Sequence, residues 1–306
     1  MNTRLVSMSF AALLLLCRAV SFAGEFEDGS TAFKRGDYET ALAMFTKAAN
    51  KGDASAQFNL GLMYFNGHGA PKDHSQAVSW FRKSADQGHA GAQAGLGVMY
   101  DKGLGVPQDY NQALSWSQKA ANKGDASAQF NLGVLYAFGR GVPQDYNQAV
   151  SWFRKAADQG YARAQNNLGV TYRDGQGVLQ DYSQAALWFQ MAADQGDAEA
   201  QYNLGLMYTN GHGVPQDYNQ AVAWYRKAAD QGYARAQYNL GVMYRDGKGV
   251  TQDYVDAHKW FNIAAAYSTD KEVRDPAITN RDLVTKKMTP AQIAEAQKRA
   301  REWKKN

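Results

Sequence analysis

Histidine, cysteine and closely spaced carboxylates most often carry catalysis or hold metal ions, and this chain has few of them in useful positions. The single cysteine, Cys17, lies near the N-terminus. Three of the five histidines lie in predicted loops or turns, and no two share a short metal-ligand spacing. The five are His68, His74, His89, His212 and His258. The paired carboxylates occur where helix caps and turns are predicted. We therefore expect no catalytic residue, no metal site and no cofactor, in a protein that is not an enzyme.

Aromatic, arginine and asparagine side chains recur at regular intervals and are suited to binding instead. The aromatic candidates are Phe58, Phe130, Tyr202 and Tyr238. The arginine candidates, which could form a positive stripe that grips carboxylates, are Arg163, Arg173, Arg235 and Arg245. The asparagine candidates, whose amides could clamp a peptide backbone, are Asn131, Asn167, Asn203 and Asn239. Together they predict a concave groove that binds an extended or helical peptide.

Each group of candidates also has a purely structural explanation. Half-buried aromatic rings are common on helices, so the four rings could pack between neighbouring units. Asp174 directly follows Arg173 and Asp246 directly follows Arg245, so these arginines could be ordinary solvated charges. A mid-helix amide usually has a partner, so the asparagines could form a ladder that braces adjacent units. The sequence leaves both explanations open.

A 36-residue unit positions all of these side chains. Three residue types recur at this spacing in six copies: tryptophan at 80, 116, 152, 188, 224 and 260, leucine at 60, 96, 132, 168, 204 and 240, and tyrosine at 64, 100, 136, 172, 208 and 244. A period in this range is typical of a solenoid, in which each unit stacks only on its neighbours. We call the equivalent positions of the six copies a column. A column with the same residue in each copy indicates packing, whereas a column whose residue varies indicates freedom or specialisation. The candidate aromatics and arginines lie in variable columns.

The residue pattern of each unit predicts an antiparallel pair of helices. In the copy that begins at Ala54, apolar residues follow a helical period and glycines then end the first helix. Asp73 is predicted to cap the second helix, which runs from His74 to about Asp86. Gly61 and Ala77 lack bulk, so the two helices can approach closely where these residues meet.

The six full copies are predicted to lie between two different ends. Residues 54–269 hold the repeats, and residues 24–53 are predicted to form a shorter capping pair of helices before them. With Gly36-Asp37-Tyr38-Glu39 and Ala41, this first pair resembles an ordinary tetratricopeptide unit. Residues 270–306 predict a basic C-terminal cap, because ten Lys and Arg stand against five Asp and Glu between residues 271 and 306. A helix that starts after Thr289 is predicted in this cap, with a shorter helix at about 277–286 before it.

Residues 1–23 are typical of a secretory signal. Arg4 precedes an apolar run that is too short to span a membrane, and a small-x-small site ends at Ala23. Cleavage there removes Cys17, so the mature chain is expected to have no disulfide. We therefore expect an exported protein, periplasmic or secreted, without an integral membrane span. The net charge of +4 is too small to predict a nucleic-acid partner, and we expect none.

Three motifs recur in each unit: Ala-x-Ala-Gln-(Phe/Tyr)-Asn-Leu-Gly-x-x-Tyr, Gly-x-Gly-Val-x-x-Asp and Ala-x-x-Trp-(Phe/Tyr)-x-Lys-Ala-Ala. Together they resemble the Sel-one-like repeat family, a branch of the tetratricopeptide-like helical solenoids, over residues 54 to about 267. The resemblance implies an all-α fold, a right-handed superhelical solenoid of antiparallel helix pairs. It also implies a scaffold or adaptor for a protein or peptide ligand in the bacterial envelope, with the first helix of each pair forming the inner wall.

The same resemblance leaves two alternative functions. Some cysteine-rich relatives are linked to penicillin binding and β-lactam hydrolysis, which would make this chain an envelope hydrolase or a penicillin-interacting protein. Those relatives carry a disulfide in every repeat, and this chain has none. Other relatives act in host interaction, so a secreted host-interaction factor is the second alternative.

Overall fold

The computed structural model describes residues 24–304, and within that range the chain consists of α-helices without strands. The all-α fold predicted from the repeat is therefore confirmed. The predicted signal at residues 1–23 lies outside the described residues. The chain divides between Asp145 and Tyr146 into two compact units. The N-terminal unit comprises the described residues up to 145, and the C-terminal unit comprises those from 146.

The N-terminal unit holds three complete helix pairs and the first helix of a fourth. Its helices are α1 (24–34), α2 (Tyr38–Asn50), α3 (Ala54–Asn66), α4 (His74–Asp86), α5 (Ala90–Lys102), α6 (Tyr110–Ala121) and α7 (Ala126–Phe138).

The C-terminal unit begins with a second helix and ends with two helices that follow the last repeat. Its helices are α8 (Tyr146–Asp158), α9 (Ala162–Asp174), α10 (Tyr182–Asp194), α11 (Ala198–Asn210), α12 (Tyr218–Asp230), α13 (Ala234–Asp246), α14 (Tyr254–Tyr267), α15 (Lys271–Thr285) and α16 (Pro290–Glu302).

Aspartates and glycines set the ends of most helices. Asp53 accepts a hydrogen bond from the Ala56 N–H at 2.6 Å, at the start of α3. Asp73 accepts one from the Gln76 N–H at 3.0 Å, which confirms the predicted cap of α4. The helix α3 ends at Gly67, whose φ of 79° is the left-handed conformation that glycine adopts without strain. Local sequence therefore determines where most of these helices start and stop.

The second glycine of each loop within a repeat lies against the preceding repeat. A Cβ atom on Gly69 would overlap the carbonyl group of Tyr38, and one on Gly213 would overlap that of Tyr182. Both glycines also have positive φ, at 72° and 68°. Glycine is needed here for two reasons, because the backbone is left-handed and because no side chain fits.

A glycine in the first helix of most pairs receives an aromatic ring from the second helix. A Cβ on Gly61 would come within 2.6 Å of the Phe81 ring, and a Cβ on Gly205 would come equally close to the Tyr225 ring. The sequence correctly predicted a close approach at Gly61. The structure adds that the ring at the Phe81 position, beside the fully buried Ala77, occupies the space.

The glutamine of the Ala-x-Ala-Gln motif joins consecutive pairs, a role that the sequence analysis did not assign. Gln57 Nε2 donates to the Ala49 carbonyl at 3.1 Å and so satisfies the end of α2. Gln57 Oε1 accepts from Gln87 Nε2 at 2.8 Å, which ties in the end of α4. The same two bonds recur with Gln165 and Gln201 in the C-terminal unit. The presence of glutamine at this position in every full repeat is the sequence feature that could have predicted this contact.

Two repeats lack the second bond of this glutamine contact. Lys123 replaces the donor that would face Gln93, and Tyr267 replaces the donor that would face Gln237. In both cases the glutamine Oε1 is buried without a hydrogen-bond partner among the described residues. Lys123 donates instead to the Gly88 carbonyl. Each substitution therefore leaves one buried acceptor unsatisfied.

The side-chain contacts between consecutive repeats are of two kinds, which alternate along the chain. An arginine in the second helix donates to a tyrosine hydroxyl of the next repeat in three pairs: Arg82 with Tyr100, Arg154 with Tyr172, and Arg226 with Tyr244. The repeats between them carry Gln118, Gln190 and Asn262 at the arginine position. These arginines are two repeats apart, so this junction recurs in every second repeat rather than in every one.

The two C-terminal helices pack on the last repeat. The helix α15 starts at Lys271, with Asp270 as its cap, which is earlier than the predicted start near 277. Pro276 lies inside it and suggested the later start, because proline favours the first helical turn. The helix α16 has the predicted capping box of Thr289 and Gln292. No helix in residues 24–304 is long and apolar enough to cross a membrane.

Candidate functional site

The predicted aromatic anchors of the N-terminal unit differ in exposure. Phe58 is half-buried, and its ring stacks on His89 at a centroid distance of 4.6 Å and tilts against Phe81 at 5.8 Å. Phe130 is only 6% exposed. The structure therefore corrects the prediction for Phe130, because a partner could not reach this ring without displacing its packing. Phe58 remains partly accessible.

The histidine beneath Phe58 has its own structural role. His89 takes the cap position that Asp53 and Asp125 hold in neighbouring repeats, and its Nδ1 accepts from the Ala92 N–H at 3.2 Å. Only a neutral ring can accept at Nδ1. Burial lowers the pKa of His89, against an opposing effect of Asp125 and Asp53, and so favours the neutral form.

Four of the predicted binding residues line one cleft in the C-terminal unit. This C-terminal cleft has a volume of about 250 Å³ and lies among α11, α13 and α15, with the lining residues Tyr202, Arg235, Tyr238, Asn239, Glu272 and Val273. The first four were predicted from the sequence, whereas Glu272 and Val273 were not. Both lie in the predicted C-terminal cap, and sequence does not show which face of a cap helix meets a repeat.

Tyr202 forms a half-buried wall of the cleft. Its ring packs on Tyr233 at 5.2 Å and on Tyr225 at 5.9 Å. Burial raises the pKa of Tyr202, whereas Arg235 and the hydrogen bond with Asn239 lower it by a smaller amount. Its hydroxyl group therefore stays neutral and available as a hydrogen-bonding group inside the cleft.

Two further tyrosines beside Tyr202 are more strongly perturbed. Tyr225 is fully buried, and its hydroxyl lies 2.9 Å from Thr209 Oγ1. Burial raises the pKa of Tyr225 to about 12. Burial, together with Glu199, raises the pKa of Tyr233 to about 12. This aromatic cluster is neutral over the whole physiological range, and its uncharged rings support the cleft.

Two of the predicted arginines are held by residues of their own unit. Arg173 donates from Nε and Nη2 to the two carboxylate oxygens of Asp174, at 2.7 and 3.0 Å, and from Nη1 to Asn203 at 3.3 Å. Arg245 repeats this arrangement with Asp246 and with Asn280 of α15. These guanidinium groups therefore brace a junction between helices, a role that neither explanation of the charges predicted.

The other two arginines are more exposed. Arg235 donates from Nη2 to Asp270 Oδ2 at 3.1 Å, and the exposed fractions of the two side chains are 51% and 41%. Such an exposed pair is weak and exchanges easily with other partners. Arg163 is exposed in α9. Among the four arginines, only Arg235 lines the cleft.

The predicted asparagines differ in their surroundings. Asn203 Nδ2 donates to Asn166 Oδ1 at 3.0 Å, and both side chains are buried, which matches a bracing ladder. Asn239 lines the cleft and acts to lower the pKa of Tyr202 and Tyr225, against the larger opposite effect of burial. Asn167 is half-buried. Asn131 Nδ2 is buried and has no hydrogen-bond partner among the described residues.

The histidines are dispersed among packing contacts. His68 stacks on Tyr38 at 4.5 Å, and His212 stacks on Tyr182 at 4.7 Å, so each loop histidine packs on the preceding repeat. His258 is 3% exposed, and burial lowers its pKa. In residues 24–304 no group of three His, Cys, Asp or Glu side chains is placed to hold a metal ion.

Antiparallel helix pairs stack on one another through side chains that are the same in each repeat, whereas the exposed positions of the first helices vary. This arrangement defines a helical-repeat solenoid. Proteins of this class are generally scaffolds for protein interactions, and the fold is typically non-enzymatic. The chain belongs to the Sel1 repeat family. Its family model matches residues 22–53, 54–89, 90–125, 126–161, 162–197, 198–233 and 234–266. The first match covers the pair predicted as an N-terminal cap.

Solved structures and curated proteins show the same similarity. A Sel1 repeat protein from Oxalobacter formigenes is 32% identical, with a TM-score of 0.71, covering 78% of this chain and 96% of that one. A protective antigen of uropathogenic Escherichia coli strains, which displays an SLR fold, is 28% identical, with a TM-score of 0.39, covering 92% and 84%. "DAP3-binding cell death enhancer 1" from Rattus norvegicus is 45% identical over 47 residues, which are 15% of this chain and 9% of that protein.

Proposed function

We propose that the protein is a non-enzymatic scaffold of the bacterial envelope that binds a protein or peptide ligand on the first-helix face of its repeats. The observation that carries the proposal is the C-terminal cleft, where four independently predicted residues come together. The two tyrosines supply aromatic surface, and Arg235 supplies an exchangeable charge. Aromatic and arginine side chains are the residues that most often dominate protein interfaces.

The N-terminal unit supports the same function with different chemistry. Phe58 is partly accessible and is surrounded by apolar groups rather than by hydroxyls and charges. A ligand segment bound to the N-terminal unit would meet an apolar region, and a segment bound to the C-terminal cleft would meet a polar one. The ligand we propose therefore carries apolar side chains and at least one hydrogen-bonding or acidic side chain.

A pull-down from an envelope extract tests the binding site. The chain from residue 24 onwards is compared with a Tyr202→Ala/Tyr238→Ala variant and with a Phe138→Ala control, whose ring is 66% exposed outside the cleft. We expect the double variant to lose the recovered partner and the control to keep it. Circular dichroism confirms that both variants fold. Equal recovery by all three proteins removes the cleft from the proposal.

The location and the absence of catalysis are parts of the proposal with their own tests. Fractionation of cells should place the protein in the periplasm, with an N-terminus at Gly24; release into the medium would support a secreted host-interaction factor instead. Labelling with a fluorescent penicillin tests the hydrolase alternative. Covalent labelling or turnover of the probe would overturn the non-enzymatic assignment.

A further inference from the structure

One repeat of the C-terminal unit has an apolar outer face where the others are polar. At the position of Leu187, the other five full repeats carry Ser, Ser, Ser, Ala and Lys; at that of Met191, four carry Lys. Leu187 and Met191 are one helical turn apart in α10, and their exposed fractions are 52% and 40%. Leu179, in the loop before α10, replaces a proline in four other repeats and is 90% exposed. Large apolar side chains exposed together mark an interaction site.

The helices of the preceding and following repeats carry positive charge beside this apolar face. Lys155 of α8 lies over the Trp152 ring at 3.9 Å, and Lys227 of α12 lies over the Trp224 ring at 3.8 Å. Both lysines are exposed and occupy the position that Met191 holds in α10. The apolar stripe is therefore flanked by lysines on both sides.

The exposed face of α12 also forms a groove. It has a volume of about 500 Å³ and is lined by Asn219, Val222, Ala223, Arg226, Lys227 and Asp230. Two cations against one carboxylate make its charge positive. All six lining residues belong to α12, so the groove follows one face of that helix and adds positive charge to it.

We propose that this outer face of α10 and α12 docks an amphipathic helix of another protein, with its apolar stripe on Leu187 and Met191 and its acidic flanks beside Lys155 and Lys227. The face is formed by second helices, so it is separate from the first-helix cleft of the proposed function. Charge complementarity selects the orientation and the partner, and burial of apolar surface supplies most of the affinity.

The test uses two synthetic amphipathic helical peptides that share one leucine stripe and differ only in their flanks, which are glutamate in one and lysine in the other. The protein is compared with a Leu187→Ser/Met191→Lys variant, which gives this repeat the residues that the others carry at these positions. That similarity makes the variant safe for folding. We expect the acidic peptide to bind the unaltered protein at least about ten-fold more tightly than the variant, and the lysine peptide not to bind.

Three other results would overturn the proposal. Equal binding of the acidic peptide to protein and variant would remove the site. Sedimentation with vesicles rich in phosphatidylglycerol, lost in the variant, would identify a lipid surface as the occupant, although Asp230 in the groove opposes anionic lipid. Self-association in analytical ultracentrifugation, lost in the variant, would identify a second copy. A Tyr202→Ala/Tyr238→Ala protein should bind the acidic peptide normally, which separates this site from the first-helix cleft.

Discussion

The first helices of the N-terminal and C-terminal units share a scaffold and differ in their surface chemistry. In both, a ring covers a helix glycine and a glutamine satisfies the end of the preceding helix. On the N-terminal unit, Phe58 stacks on His89 among apolar neighbours. On the C-terminal unit, tyrosine, arginine and asparagine line a cleft. The comparison shows that one set of repeat positions stacks the helices and that a different set forms the surface available for binding.

The largest expected effect comes from the glycines that both units share. Gly69→Ala and Gly213→Ala should each lower the free energy of unfolding by about 3 kcal/mol, because the methyl group strains a left-handed backbone and meets a carbonyl group. Gly124→Ala and Gly196→Ala are the matched controls, since their φ values are also positive but the space around them is open. Urea unfolding measures all four. Equal losses in the controls would show that packing against the preceding repeat is unimportant.

A pH effect should distinguish the C-terminal unit. Tyr225 has a pKa raised to about 12, so its neutral form stabilises the fold below pH 10 and that stability is lost as the pH rises from 10 to 12. The total is about 2 to 3 kcal/mol. Tyr225→Phe, which places the ring that Phe189 and Phe261 provide elsewhere, should remove much of this loss. Unfolding curves between pH 9 and about pH 12 measure it; parallel curves for the two proteins would contradict the assignment.

An exchange of residues between the units tests the glutamine contact. Lys123→Gln should raise the free energy of unfolding by about 1 kcal/mol, because it gives the buried Oε1 of Gln93 a donor. Gln231→Lys should lower it by about the same amount, because it removes the donor that Gln201 has at 2.9 Å. Thermal unfolding of both variants compares them. Shifts of the same sign would refute the pairing.

The smallest effect concerns the cap that is peculiar to the N-terminal unit. Burial lowers the pKa of His89, so its stabilising contribution is complete above pH 6.5 and is lost as the pH falls below that value. His89→Asp restores the usual cap and should abolish this dependence. The free energy of unfolding is measured at pH 7 and at about pH 5. The difference between the two values should be smaller in the variant than in the original protein by a few tenths of a kcal/mol. An unchanged difference would exclude His89 as its source.

Much of the fold followed from local sequence. The caps at Asp53 and Asp73 and the stop at Gly67 depend on residues within a few positions, and their spacing predicted the helices directly. The start of α15 was predicted too late, because its cap and Pro276 give opposing local signals. The accessible or buried state of Phe58 and Phe130, which share one column, could not be predicted, since it depends on the residues of other helices.

The sequence by itself determined the period, the helix ends and the columns that are free to vary, because these depend on residue type and spacing along one chain. Only the tertiary structure decided which variable residues meet. It joined Tyr202, Tyr238 and Glu272 at one cleft, and it turned Arg173 away from recognition by pairing it with Asp174 and Asn203. The physical reason is that accessibility and charge pairing depend on neighbours in space, and stacking brings together residues that lie about one repeat apart in sequence.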